Sequence, residues 1–289
     1  MNNDAKLKTK PNGMLIIVGT PIGNSMDLSA RGIEAFEKAD LVLAEDTRVA
    51  KKLSKIRNFK IKKLVSFNNY SENKKVSLVI KKIESGYNVV LSSDAGMPLI
   101  SDPGYKLVSE CLKNDIMIDV VPGPSAIITA IVTSGLATNN FYFAGFPLKK
   151  KKARIESLSK LTEINATILW FESPKRVLSF LNELIIVFGN RRAVVARELT
   201  KLYQEILRND LLSLISELEK RKHLRGEYVI LIEGRNNFKN NKIDDNISNK
   251  IDILLKTKSV RSVVNTLAKE TKLPKNHIYN EVLKVKDGI

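Results

Sequence analysis

The sequence predicts an α/β protein, with two α/β domains and a small helical domain at the end. Three observations carry the α/β reading. Short apolar runs recur at Met14–Val18, Leu41–Ala44, Asn88–Ser93 and Met117–Val121. Gly/Pro-rich or acidic turns follow them. Between them lie stretches with apolar residues at helical spacing, such as Val76, Val79, Ile80 and Ile83. Strands alternating with helices imply a mostly parallel sheet covered on its faces. Such a sheet binds ligands beyond the carboxyl ends of its strands, where these turns lie.

Taken in order, residues 1–12 are polar and form no element. Met14–Val18 is a strand ending in the turn Gly19–Asn24, and Ser29–Ala39 is a helix with Ile33 and Phe36 on one face. Leu41–Ala44 is a strand that runs into Glu45-Asp46-Thr47-Arg48. Val76–Ser85 is a helix and Asn88–Ser93 a strand. Asp102-Pro103 is expected to start the next helix, with Asp102 as N-cap and Pro103 at the first position. Met117–Val121 leads through Pro122-Gly123-Pro124 into an apolar helix from Ser125 to Ser134, and Phe141–Phe146 follows.

The basic stretch Pro147–Arg154 marks a domain boundary, giving domains at 13–146 and 147–235. In the second, Ala166–Phe171 is a strand, and Glu172-Ser173-Pro174 opens a helix with Ser173 as N-cap. Ala193–Glu198, Tyr203–Leu207 and Tyr228–Ile232 complete a unit with more hairpin-like connections. Asn236–Asn249 is a polar linker. The tail, 250–289, carries short helical patterns at Val260/Val263/Val264/Leu267 and Ile278/Val282, parted by Leu273-Pro274, and resembles a helix-turn-helix.

Composition narrows the chemistry. At 289 residues, 43% hydrophobic and 27% charged, the chain is ordinary for a globular protein. It has no apolar run near the ~18–20 residues of a membrane span, and its first ten residues lead into no signal-peptide core. We therefore expect a cytoplasmic protein away from membranes. Cys111 is the sole cysteine and, among apolar neighbours, reads as a core thiol. With only His223 and His277, a zinc site and the usual His-based triads fall away, so no metal is expected. Proton chemistry is left to carboxylates, lysine or tyrosine.

The net charge of +17, with a pI near 9.7, favours a polyanionic partner. Lys51–Lys63 holds seven basic residues and no acid, and Lys149–Arg154 holds five in six. The plainer alternative is a Lys/Asn-rich bias that only solvates the surface.

Several strand-end turns converge on one place. Gly19-Thr20-Pro21-Ile22-Gly23-Asn24 allows close backbone approach but is neither dinucleotide fingerprint nor P-loop. Ser92–Gly104 carries Asp94 and Asp102, two prolines and two glycines directly after a buried strand. Asp102 has a capping duty there and Asp94 has none, which makes Asp94 the functional candidate. Pro122–Ala126 brings a helix N-terminus and the Ser125 hydroxyl to the same edge. Glu45–Arg48 fits either a ribose-binding acid or an internal Arg–carboxylate pair that shapes the loop.

The segments VGTPIGN, AEDTR, SSDAGMPLISDPG, VPGPSA, FESPKR, ARELTK and RGEYVILIEG, in this order from Gly13 to Gly234, resemble the tetrapyrrole-methylase-like (class III) S-adenosylmethionine methyltransferases. Within them the resemblance is to the branch that 2′-O-methylates a decoding-site cytidine ribose in bacterial small-subunit (16S) ribosomal RNA. It implies S-adenosyl-L-methionine folded into a cleft between the two α/β domains, 16S rRNA or the small ribosomal subunit as partner, and a homodimer. It also implies that Glu45–Arg48 shapes the site or meets RNA rather than holding cofactor. Carried over, the cofactor wall is Ile22, Asp94, Met97, Ser125, Ala126, Phe171, Ala196 and Gly226. Arg48, Lys175 and Arg197 would position RNA. Glu172, Glu198 and Lys201 are the candidates for removing the hydroxyl proton. Two positions depart from the family: Met97 stands where threonine is usual and Lys175 where histidine is frequent. Two other readings remain, a tetrapyrrole-precursor methylase and a non-catalytic RNA-binding protein with a degenerate cleft.

Overall fold

The computed structural model describes residues 13–235 and 245–271, with 278, 279, 282, 283 and 285. The first sheet is wholly parallel. Its strands β1 (Leu15–Val18), β2 (Leu41–Ala44), β3 (Leu64–Ser66), β4 (Val89–Ser92) and β5 (Ile118–Val121) stand in the order β3-β2-β4-β1-β5. β2 and β4 are buried at every residue, because helices cover both faces and the sequence can be apolar without alternation. The period of two persists in the packing. Val42 and Val90 join Phe36 and Phe59 on one face, while Leu43 and Leu91 join Ile83, Leu107 and Cys111 on the other. Cys111 is fully buried, and that burial pushes its thiol up to about 11.

The helices of this half are α1 (Ala30–Lys38), α2 (Thr47–Ile56), α3 (Glu72–Glu84) and α4 (Tyr105–Lys113), and α5 (Ala126–Ser134) leads on to the second sheet. Ser29, Asp46 and Ser125 cap α1, α2 and α5, each accepting a first-turn N–H. The predicted cap of α4 is corrected: α4 starts at Tyr105, with Gly104 at the N-cap. Gly104 has φ 130°, so the chain cannot be helical from Asp102. Glu72, buried on α3, supplies the cap from outside, its Oε1 accepting the N–H groups of Gly104 and Lys106 at 3.1 Å each. Asp102 is thereby released from capping.

The second sheet holds β6 (Phe141–Phe143), β7 (Thr167–Glu172), β8 (Arg192–Arg197), β9 (Glu205–Asp210) and β10 (Tyr228–Ile232), in the order β6-β7-β10-β8-β9. Only β6 and β7 run parallel. β6 pairs with β7, so the second sheet starts before residue 147, and the passage from one sheet to the other lies along α5. Helices α6 (Lys151–Ser159), α7 (Val177–Phe188) and α8 (Leu211–Glu219) complete this half. Ser173 does not cap α7, which begins at Val177; its N–H and hydroxyl both donate to Glu172 Oε1 instead. β9 begins at Glu205, two residues after its expected start.

The chain divides into two compact units, residues up to 162 with 166–233, and residues 163–165 with 234–289. Both sheets lie in the first. In the second, α9 (Asp245–Leu255) and α10 (Val260–Thr271) contribute to a core of Ile251, Val263, Val264, Leu267, Ile278 and Val282. The predicted linker ends by Asp245 rather than Asn249, its residues 236–244 lie outside the described ones, and so does the Leu273-Pro274 break.

Candidate active site

The loops after β1, β4 and β5 meet at one edge of the first sheet. Thr20 and Gly96 exchange both backbone hydrogen bonds, at 2.9 and 3.0 Å, and the Thr20 hydroxyl donates to the Ser93 carbonyl. Gly19 and Gly123 press backbone on backbone: a Cβ built on Gly19 would lie 2.7 Å from Gly123 Cα, and one on Gly123 2.8 Å from Gly19 Cα. No larger residue fits either position without parting β1 from β5. Met97 packs its sulfur over the same spot, where a Cβ on Gly19 would lie 2.6 Å from it. The Asn24 N–H donates to the Thr200 hydroxyl of the loop after β8, so the loops from both sheets are tied together.

Between them lies a cavity of about 470 Å³, well inside the ~300–1,000 Å³ of small-molecule sites. Ile22, Asp94, Met97, Ser125, Ala126, Phe171 and Gly226 line it. Ala196 does not; fully buried, it continues the cross-strand row Phe171–Val229–Ala196 beneath the wall. Asp94 Oδ1 accepts the Asp46 N–H at 2.9 Å. Asp46 itself holds Arg48 by hydrogen bonds to its backbone N–H and guanidinium, which answers the ambiguity of Glu45–Arg48 in favour of an internal pair.

The titratable lining has one sign. Glu45, Asp94, Asp102, Glu172 and Glu227 line the cavity, and among its lining residues there is no lysine, arginine or histidine, in a chain of net charge +17. Burial and then mutual repulsion raise three of these acids. Desolvation and Asp94 act on Glu45, and desolvation and Asp46 raise Asp94 against the Asp46 N–H hydrogen bond. Desolvation and then Glu45 take Asp102 up to about 6. The sequence reads Asp102 as a capping residue; its separation from α4 by Gly104, at φ 130°, is the signal that is not readable locally.

The three expected proton acceptors are each engaged in an ion pair. Glu172 is closed off: both oxygens accept from Arg176, at 2.8 and 2.9 Å, and its side chain is 1% exposed. Burial works against the Glu198 charge, but hydrogen bonds from Lys201 Nζ and the Glu227 N–H hold its carboxyl below the ordinary range. Burial likewise opposes the Lys201 charge, and bonds to Glu198 and Glu227 raise it. Of the expected RNA-positioning residues, Arg48 and Lys175 are exposed, whereas Arg197 donates to the Arg225 carbonyl at 2.7 Å and is committed within the fold.

The chain belongs to the tetrapyrrole (corrin/porphyrin) methylase family, whose sequence profile matches residues 14–215. It is similar to ribosomal RNA small subunit methyltransferase I of Thermotoga maritima, at 44% identity over 77% of this chain and 99% of that protein. It is similar also to the protein of the same name from Vibrio cholerae, at 37% identity over 94% of this chain and 96% of that one. Among solved structures, cobalt precorrin-4 methyltransferase matches with a TM-score of 0.54 at 17% identity, covering 76% of this chain and 94% of that one. Uroporphyrin-III C-methyltransferase from Thermus thermophilus, complexed with S-adenosylhomocysteine, gives 0.53 at 17%, covering 77% and 98%. These two share the fold.

Proposed function

We propose that this chain transfers a methyl group from S-adenosylmethionine to small-subunit ribosomal RNA, at the ribose 2′-hydroxyl of a decoding-site cytidine. The observation that carries the reading is the contrast between an acid-lined cavity and a strongly basic chain. The lining suits a cation, and the exterior suits a polyanion. S-adenosylmethionine carries a sulfonium and an ammonium against one carboxylate, so the residues present fit it. When bound it supplies an electrophilic methyl group. Asp94 and Asp102 hold positive charge at the wall, Ser125 and the α5 N-terminus offer donors, and Ile22, Phe171 and Val229 give apolar surface.

Phosphates are repelled from this lining, so the RNA backbone stays at the rim and only a sugar edge enters. In-line placement of the hydroxyl lowers the barrier by ~7 kcal/mol. In this reading Asp102 takes the hydroxyl proton on its carboxylate, whose proton affinity burial and then Glu45 raise to about 6.

The test is transfer of tritium from labelled S-adenosylmethionine to small ribosomal subunits and to naked 16S RNA, with the product mapped for ribose modification. Label at a cytidine ribose is the expected result. Label on a base, or on a tetrapyrrole precursor but not on RNA, refutes the proposal, as does binding of the cofactor without transfer to any of these substrates.

A further inference from the structure

Phe146 is at odds with its surroundings: a large apolar ring, 58% exposed, at the edge of the cavity and on a segment held rigidly. We propose that it is the platform on which the base of the target nucleotide stacks while its ribose is presented to the cavity, with Lys149–Lys152 holding the adjoining phosphates. This rests on the reading of the chain as an RNA methyltransferase.

The segment is pinned at successive residues. The Gly145 carbonyl accepts the Phe171 N–H at 3.1 Å. The Pro147 carbonyl accepts from Arg176 Nη2 at 3.1 Å, and the Leu148 and Lys149 carbonyls accept from Arg154 Nη1 at 2.7 and 2.9 Å. Both arginines are fixed in turn: Arg176 by Glu172, and Arg154 by Glu183 at 2.5 and 2.6 Å, with the Glu183 side chain 4% exposed. The ring itself leans on Phe171, centroids 5.4 Å apart, and Phe171 meets Phe143 edge-on at 4.8 Å. Phe146 is thus backed on one side and open on the other, and it does not fold away from water. Glu172, expected as a proton acceptor, anchors this strap instead.

The chemistry of the incoming group follows from charge. Lys149, Lys150, Lys151 and Lys152, directly after the strap, are all exposed, while the lining beside Phe146 is acidic. A nucleotide therefore keeps its phosphates outside against the lysines. To turn its ribose inward it must leave its own stack, and an aromatic face replaces the stacking lost.

The experiment compares Phe146→Ala, Phe146→Leu and Phe146→Trp in the full chain. It reads KM and single-turnover rate with small-subunit RNA, equilibrium binding of a single-stranded oligoribonucleotide, and the dissociation constant for S-adenosylmethionine. The alanine and leucine variants should raise the RNA KM by ~5- to 100-fold, the span of base–aromatic stacking. Tryptophan should restore it, and cofactor affinity should not move. The platform is refuted if the alanine variant weakens cofactor binding and leaves RNA KM alone, or if leucine serves as well as tryptophan. Failure of the wild type to methylate RNA, with oligoribonucleotide binding still dependent on Phe146, would overturn the function and leave the platform standing.

Discussion

Replacing Asp102 by asparagine should make the protein more stable and a worse enzyme. The carboxyl is raised from 3.8 to about 6 by burial and then by Glu45, so its ionised form is disfavoured in the folded state. Because the folded value exceeds the unfolded one, the stability it confers is present at low pH and is lost as pH rises through about 6. At 1.36 kcal/mol for each tenfold change in proton affinity, moving the carboxyl from 3.8 to about 6 corresponds to about 3 kcal/mol. Solvent in the cavity screens part of this, leaving an expected gain of about 1–2 kcal/mol for Asp102→Asn at pH 8. For a unit of this size that is ~2–8 °C in Tm. Below pH ~4 the wild-type carboxyl is protonated in both states and the gain should vanish. Thermal unfolding of both proteins from pH 4 to 8, with calorimetric binding of S-adenosylmethionine at each pH, checks it. Wild-type cofactor affinity should fall as pH drops through 6, and the variant should bind weakly throughout. A variant less stable than wild type at pH 8, or a difference independent of pH, would refute the electrostatic account of this wall.

Two more expectations follow from packing. Glu183→Gln leaves the Arg154 charge buried without its carboxylate, and should cost about 3–5 kcal/mol in denaturant unfolding, with RNA affinity falling as the Phe146 strap loosens; a loss under about 1 kcal/mol would show the pair to be dispensable. Gly123→Ala forces a Cβ to 2.8 Å from Gly19 Cα, so cofactor binding should be lost by equilibrium dialysis while far-ultraviolet circular dichroism still shows a folded α/β chain; retained affinity would mean the loops after β1 and β5 can part freely.

Much of this architecture was legible locally. β2, β4 and β10 are continuous apolar runs because both faces are covered, and β10 (Tyr228–Ile232) and β2 (Leu41–Ala44) begin and end where the runs do. The capping of α1 and α5 was readable from Ser29 and Ser125, side chains that act within one turn. What escaped depends on partners distant in the chain. α4 is capped by Glu72, from 32 residues upstream of Gly104, so the local Asp-Pro signal misled. Ser173 looks like an N-cap until Glu172 takes its donors, and Glu172 looks like a free acid until Arg176 folds back on it. In the cavity, Ile22, Asp94 and Gly226 of the motifs line the wall, but the raised proton affinities of Glu45, Asp94 and Asp102 arise from two loops brought together, after β2 and β4, which no single motif contains.

A cavity walled by one sign of charge grips its occupant in proportion to the occupant's own charge. Methyl transfer turns a sulfonium into a thioether, so the spent donor leaves the reaction one positive charge poorer than it entered. Once the proton taken by Asp102 has passed to solvent, Glu45, Asp94 and Asp102 repel one another with less to offset them, and the wall that drew the donor in now favours its departure. Turnover is given a direction by the lining itself, without any moving part.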